Sequence, residues 1–245
     1  MKLNSFYTDT GIEVPAITTM QMREVDRIAI EETGPNLFQM MENAGRSLSL
    51  SAIEMLGQQW RKATVVVLAG TGGNGGGGIC AARHLANHGV NVRLGIVNPD
   101  RLGEVASFQR KIFRATSGKE VVLAELLNEH ADLIIDAIIG YSLQSAPRGK
   151  PLELIQWANE TKGPVLALDV PSGIDSTTGN APGSYVKVQR TMTLALPKTG
   201  LLPERTGDLF LADIGIPQMV YQRIGVQFAS LFDNRYSVPL SVHHL

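Results

Sequence analysis

Two aspartates are the residues best placed for chemistry, because each ends a short apolar run: Leu133-Ile134-Ile135-Asp136 and Leu166-Ala167-Leu168-Asp169. A carboxylate carried by a buried strand into a partly desolvated pocket can act as a general acid or base. It can equally cap the turn or helix that follows. For Asp136 the two readings stand side by side. For Asp169, followed by the sharp turn Pro171-Ser172-Gly173, the chemical reading is carried forward. Asp175 is read as binding backbone groups in the turn through Gly179. Ser172 lacks the Gly-x-Ser-x-Gly frame of a hydrolase nucleophile, and none of the five histidines has a triad role. His243 and His244 are expected in a frayed C-terminal tail.

A third candidate is the run Gly70-Thr71-Gly72-Gly73-Asn74-Gly75-Gly76-Gly77-Gly78, with seven glycines in nine positions. Glycine lets backbone approach a ligand closely, at an entropic cost. The helix that follows offers free N–H groups to a phosphate. Ligand contact is therefore preferred here over a turn that only packs. Gly70-x-Gly72-x-x-Gly75 formally fits a dinucleotide fingerprint, but the usual acidic partner is absent, with Asn98 and Asp100 the nearest candidates. No Lys-Ser or Lys-Thr follows, which disfavours a P-loop. The segment Gly140–Gly149 is long for a strand-to-helix connection, and such loops are often functional. Lys198, in Pro197-Lys198-Thr199-Gly200, is read either as a cation meeting phosphate at the rim or as a solvated surface lysine.

These residues need a scaffold. Apolar runs at Thr64–Leu68, Asn91–Ile96, Leu133–Asp136, Val165–Asp169 and Thr191–Ala195 predict strands. Helical patterns over Gly77–His88, Gly103–Thr116 and Leu152–Glu160 lie between them. This alternation means a mostly parallel sheet covered on both faces. In such sheets ligands bind outside the carboxyl ends of the strands. Glu120–Val122 is a weak edge strand, Asp208–Ala212 another strand, and Gln218–Ile224 a short helix behind Pro217. Two helices come first: one capped by Thr18 and carrying Met22, Val25, Ile28 and Ala29, the other running from Leu37 to near Gly57. Their methionines are read as flexible core filler.

The 245 residues carry a net charge of −1, with 44% apolar and 18% charged residues. One globular domain over residues 1–245 is expected. Nothing in the charge points to nucleic acid or a membrane surface. A lone cysteine, Cys80, implies a reducing compartment, and its apolar helix face makes it a small buried hydrophobe. The first residues lack the apolar stretch of a signal peptide, and a cytoplasmic location is expected.

Taken together, several segments resemble the YjeF N-terminal family of NAD(P)H-hydrate epimerases. They are Met41-Glu42-Asn43-Ala44-Gly45-Arg46, Gly73-Asn74-Gly75-Gly76 with Ala81-Ala82-Arg83-His84-Leu85, Asp136-Ala137-Ile138-Ile139-Gly140, Leu168–Asp175, Ala195–Leu201 and Ala212–Pro217. The resemblance implies a Rossmann-like three-layer α/β sandwich with a mostly parallel central sheet. It implies an isomerase that interconverts the R and S forms of hydrated NADH and NADPH, a homodimer, and a separate dehydratase as pathway partner. By motif position, Asn74, Asp136 and Ser172 would ligate a potassium ion. Gly73, Asn74, Gly75, Gly76 and Gly77, with Gly140, Tyr141, Ser142, Leu143, Gln144, Ser145, Ala146 and Asp169, would contact substrate. Asp169 would be the acid/base. The sequence departs from the family at Gly77, where an aspartate is usual. That departure supports a second reading, a non-catalytic nucleotide-binding or dimerisation module such as an mRNA-decapping scaffold carries. An ordinary NAD-dependent dehydrogenase is a third, disfavoured by the missing ribose-binding acid.

Overall fold

Val65, Val66, Val67 and Leu68 are all fully buried, as are Leu133, Ile134 and Ile135. Side chains alternate between the two faces of a strand, so runs like these require cover on both sides. A computed structural model of the chain, describing residues 4–126 and 129–244, shows how that cover is supplied.

The strands are β1 (Asn4–Thr8), β2 (Glu13–Val14), β3 (Thr64–Ala69), β4 (Asn91–Ile96), β5 (Lys119–Val121), β6 (Leu133–Ala137), β7 (Val165–Leu168), β8 (Arg190–Leu194), β9 (Asp208–Ala212) and β10 (Ser237–His244). The helices are α1 (Thr19–Ile28), α2 (Leu37–Leu56), α3 (Gly73–Asn87), α4 (Glu104–Phe113), α5 (Leu123–Leu126), α6 (Lys150–Glu160), α7 (Pro203–Thr206) and α8 (Gln218–Arg223). All ten strands join one sheet in the order β2-β1-β10-β9-β8-β7-β6-β3-β4-β5. From β9 to β5 every pairing is parallel. On one face Val65, Val67, Leu133 and Ile135 pack with Leu48 of α2, Ile79 and Leu85 of α3, and Phe113 of α4. On the other, Val66, Leu68 and Ile134 pack with Leu126 of α5 and Leu154, Ile155 and Trp157 of α6. The fold is thus a three-layer α/β sandwich around a mostly parallel sheet, as expected.

Two expectations are corrected. The C-terminal residues are not a frayed tail: β10 pairs antiparallel with both β9 and β1, and His243 stands opposite Ser5. Pro239 obscures this strand in the sequence. It is accommodated because pairing with β1 ends at Thr8–Leu240, leaving Pro239 opposite Phe210 of β9 alone. The helix expected from Gly77 begins four residues earlier, at Gly73. The dense glycines are therefore mostly helix, and their first function is packing. A Cβ on Gly75 would overlap the Gly70 carbonyl oxygen, one on Gly76 the Met41 sulfur, and one on Gly78 the Ala137 Cβ. The same closeness brings α2 against α3, where a Cβ on Gly45 would strike Cys80. Cys80 is fully buried, and burial pushes its thiol up to about 12, so the hydrophobe reading holds.

Gly73, by contrast, has open space where a Cβ would stand. Gly75→Ala is expected to lower stability by about 1–3 kcal/mol through overpacking, whereas Gly73→Ala should change it by less than about 0.5 kcal/mol. Thermal denaturation of the two variants beside the parent chain checks this.

Candidate active site

The sheet reverses its winding at β3. From there the chain proceeds outward to β4 and β5, then returns to β6 on the other side of β3 and continues to β9. A crevice opens at the carboxyl ends of strands where such a reversal occurs. The segment after β3 carries Asn74, and the segment after β6 carries Asp136 to Tyr141.

Asp136 is fully buried on β6. Its carboxyl accepts from the Ser172 backbone N–H (2.8 Å), the Ser172 hydroxyl (2.5 Å) and the Ile138 N–H (3.2 Å). Ser172, also fully buried, accepts in turn from the Ile139 N–H at 2.8 Å. Asp136 is thus no helix cap, since α6 begins only at Lys150; it ties the loop after β6 to the turn after β7. Burial pushes its carboxyl up to about 6, more than its three donors pull it down. Next to this knot, the Asn74 side chain packs on Gly140, where a Cβ would lie 3.1 Å from the Asn74 Oδ1. The buried Asn74 Nδ2 has no hydrogen-bond partner.

Asp169 stands one residue beyond β7 with φ of 68°, in the left-handed region that a side chain with a Cβ seldom enters. This turn ends the strand at Leu168, one residue earlier than expected, and aims the carboxyl at the crevice. One carboxyl oxygen accepts from the Tyr141 N–H at 3.2 Å. The other accepts from the Leu194 N–H at 3.3 Å and from the ammonium of Lys198. Lys198 is 1% exposed and Asp169 3%. Lys198 also donates to the Leu194 carbonyl at 2.8 Å. Of the two sequence readings of Lys198, the solvated surface lysine is overturned: the residue is buried and lines the cleft at the tip of β8, where its ammonium pairs with Asp169.

Both residues line a 660 Å³ cleft, within the usual size for a small-molecule site. Asp26, Asn74, Tyr141 and Ser142 complete its polar side, while Met22, Met40, Met41, Val105 and Ile214 are apolar walls. The methionines thus serve the cleft as well as the core. Asp26 was missed. Its signal in the sequence is its place on α1, four residues beyond buried Met22 and next to buried Val25. The Tyr141 phenol donates to it at 2.5 Å. Burial raises the Asp26 carboxyl above its usual range, partly offset by that hydrogen bond and by the Lys198 charge.

Of the residues expected to touch substrate, Gly73, Asn74, Gly77, Gly140, Tyr141, Ser142 and Asp169 line the cleft. Gly75 and Gly76 do not; their close packing against Gly70 and Met41 takes them out of it. Leu143, Gln144, Ser145 and Ala146 also fall outside the lining, because the loop turns away after Ser142 and Ala146 lies near Gly183. At Gly77 a Cβ would stand 2.7 Å from Leu168 Cδ2, so leucine fills the space beside this departure from the family pattern. Asp175 binds the Thr177 and Thr178 N–H groups as expected. Asn98 accepts from the Asp100 N–H in a turn away from the cleft, which leaves the dehydrogenase reading without its acid.

Fold and site together define an α/β protein with a ligand crevice at a topological switch point. The sequence profile described as YjeF-related protein N-terminus matches residues 37–200. The chain belongs to that family. It is 50% identical to the NAD(P)H-hydrate epimerase of Dehalogenimonas lykanthroporepellens, over 96% of this chain and 97% of that protein. It is 38% identical to the bifunctional NAD(P)H-hydrate repair enzyme Nnr of Hyperthermus butylicus, over 82% of this chain but 38% of the longer protein. Enhancer of mRNA-decapping protein 3 of Macaca fascicularis is 32% identical over 96% of this chain and 46% of its own length. The crystal structure of yeast YNL200c superposes with a TM-score of 0.79 at 20% identity, covering 95% of this chain and all of that one.

Two measurements test the electrostatics. Lys198→Met strands a buried carboxylate and should cost about 3–5 kcal/mol by denaturant unfolding, while adding Asp169→Asn should restore part of it. For Asp136, the folded-state pKa near 6 lies above the ordinary 3.8. Its contribution is therefore fully present below about pH 3.8 and is lost as pH rises through about 6. In potassium-free buffer the Tm of the parent chain should fall relative to that of Asp136→Asn across this window and run parallel above it.

Proposed function

We infer that this chain is an isomerase, an NAD(P)H-hydrate epimerase interconverting the R and S forms of hydrated NADH and NADPH. The observation that carries the reading is Asp169: a buried carboxylate, ion-paired with Lys198 and turned into a nucleotide-sized cleft at the switch point. Its relatives agree, the half-identical one being named for this activity over nearly its whole length.

The epimerised carbon bears a hydroxyl and adjoins the ring nitrogen. The nitrogen lone pair can expel the hydroxyl as water once it is protonated, and water can then return to the cation from the other face. Asp169 is the proton-transfer group next to this carbon, a role that typically contributes about 10²–10⁴-fold. Lys198, anchored on the Leu194 carbonyl, holds it in place. Gly72 offers no side-chain cap to α3, and Gly73 is exposed. The first-turn N–H groups of α3 are thereby left for the nucleotide's phosphates. Gly140, Tyr141 and Ser142 form the facing wall.

A potassium ion fits the donors beside the cleft. Asn74, Asp136 and Ser172 offer an amide, a carboxylate and a hydroxyl, hard ligands suited to such a cation. Asp136 receives only neutral hydrogen-bond donors and its carboxyl is raised by burial, so a cation beside it would be stabilised there. When bound, the ion would supply positive charge near the substrate phosphates and fix the two loops. We further propose a cytoplasmic homodimer working with a separate dehydratase, an activity that the relatives named bifunctional repair enzymes suggest. No helix among the described residues is long and apolar enough to cross a membrane.

R-enriched hydrated NADH incubated with the protein should be converted to the S form, followed by chromatography. Asp169→Asn should slow conversion by at least about 10²-fold. Replacing potassium with a bulky organic cation should slow the parent chain and leave Asn74→Ala, already impaired, unchanged. Nucleotide binding without conversion in the parent chain would instead support the non-catalytic module that Gly77 suggests.

A further inference from the structure

Inversion makes a demand that Asp169 alone does not meet. The hydroxyl leaves from one face of the ring and water arrives on the other. A proton must be given on the first face and taken on the second. Asp169 is held by Tyr141, Leu194 and Lys198, so its carboxyl cannot swing from one face to the other.

A second titratable pair faces the same cleft and is unused by the mechanism so far. Tyr141 spans the site: its backbone N–H binds Asp169, and its phenol binds Asp26 on α1 at 2.5 Å. The two carboxyl groups thus stand one tyrosine apart and come from different parts of the fold, the turn after β7 and the helix α1. Both line the cleft. Inverting reactions on sugars use the same plan, two carboxyl groups far enough apart to admit the reacting carbon and a water between them.

We propose that the Tyr141 phenol, backed by Asp26, is the second proton-transfer group of this site and acts on the face opposite Asp169. The proposal rests on the epimerase reading. In the R-to-S direction the phenol turns its O–H from Asp26 to the departing hydroxyl and gives up that proton, and the protonated Asp26 carboxyl donates its own proton to the phenol oxygen. The carbon–oxygen bond breaks with its electron pair on oxygen, which leaves as water, and the nitrogen lone pair forms the carbon–nitrogen double bond. A second water adds to the opposite face, that double-bond pair returns to nitrogen, and the water's proton passes to the Asp169 carboxylate. One water is lost and one gained, with no redox change. The proton moved from Asp26 to Asp169 is returned through solvent or by the reverse reaction. Burial suits Asp26 to this, since it favours the protonated carboxyl.

The test follows R-enriched hydrated NADH in water enriched in the heavy oxygen isotope, reading epimer ratio by chromatography and label by mass spectrometry. In the initial phase label should enter the S product while recovered R substrate stays unlabelled. Tyr141→Phe and Asp26→Asn should each lower kcat by about 10²-fold or more and leave KM within about threefold. If the pair only positions the loop, KM rises and kcat holds, which overturns the proposal. So does label in recovered R substrate at the rate of inversion, a result that needs no variant. If the parent chain converts nothing, the epimerase reading falls and takes this one with it; if the parent converts and the label scrambles, only the two-group scheme fails.

Discussion

Burying the charge of Asp169 is the constraint around which the site is arranged. An unpaired carboxylate at 3% exposure would be severely penalised. Its environment answers that penalty in detail: an ammonium from the turn after β8, and N–H groups from the loop after β6 and from the end of β8. The donors come from the tips of β6 and β8, the two strands that flank β7. The ion pair can form only if β6, β7 and β8 are neighbours in register, as the pairings of Asp136 with Ala167 and of Leu168 with Met192 show. Attraction does not make such a pair a large net source of stability, because desolvation opposes it. Its consequence is geometric. It selects one arrangement of the loops, and Asp169 accepts a left-handed backbone as part of that arrangement.

The glycine segment solves a related problem by a different route. A ligand crevice at β3 needs the following helix close to the sheet, so that its N-terminus overlooks the strand tips. Gly75, Gly76 and Gly78 remove the side chains that would hold α3 away from Gly70, Met41 and Ala137. Glycine in a helix costs about 0.5–1 kcal/mol per residue relative to alanine. The dispersion contacts of a close-packed layer offset that cost. Packing and ligand access are therefore the same adaptation seen from two ends of one helix turn: Gly75 and Gly76 face protein, whereas Gly73 faces the cleft.

What could be read in the sequence follows from range. The parallel strands, their covering helices and the aspartates at their tips are written in local apolar runs, and the structure moves their boundaries by a few residues. Gly73 was missed as a helix start because glycine has low helix propensity, a local preference that tertiary contact overrode. The strand β10 was hidden by Pro239 and by a partner, β1, more than 200 residues away in the chain. The sequence leaves the partner of Lys198 open, because no local signal announces a counter-ion located 29 residues earlier. Asp26 carried a faint signal, an acid beside the buried stripe of α1, but its tyrosine is 115 residues distant. The motifs that link these residues became legible only when read jointly.

Asp136 and Asp169 show why residue type and strand position alone could not assign roles. Both follow three apolar residues, and both are buried near a strand end. Asp169 receives a full positive charge from Lys198 and opens onto the cleft. Asp136 receives only dipoles, from Ser172 and Ile138, and is sealed beneath the loop. Hydrogen bonds to neutral donors do not cancel its desolvation, and its carboxyl rises to about 6. Near neutral pH it therefore carries a charge without a counter-charge beside it among the described residues. A monovalent cation shared with Asn74 and Ser172 would supply the missing charge and lower that pKa. Two carboxylates from the same sequence pattern are thereby separated by environment into different tasks. One opens onto the cleft, and the other ties together the loops that wall it.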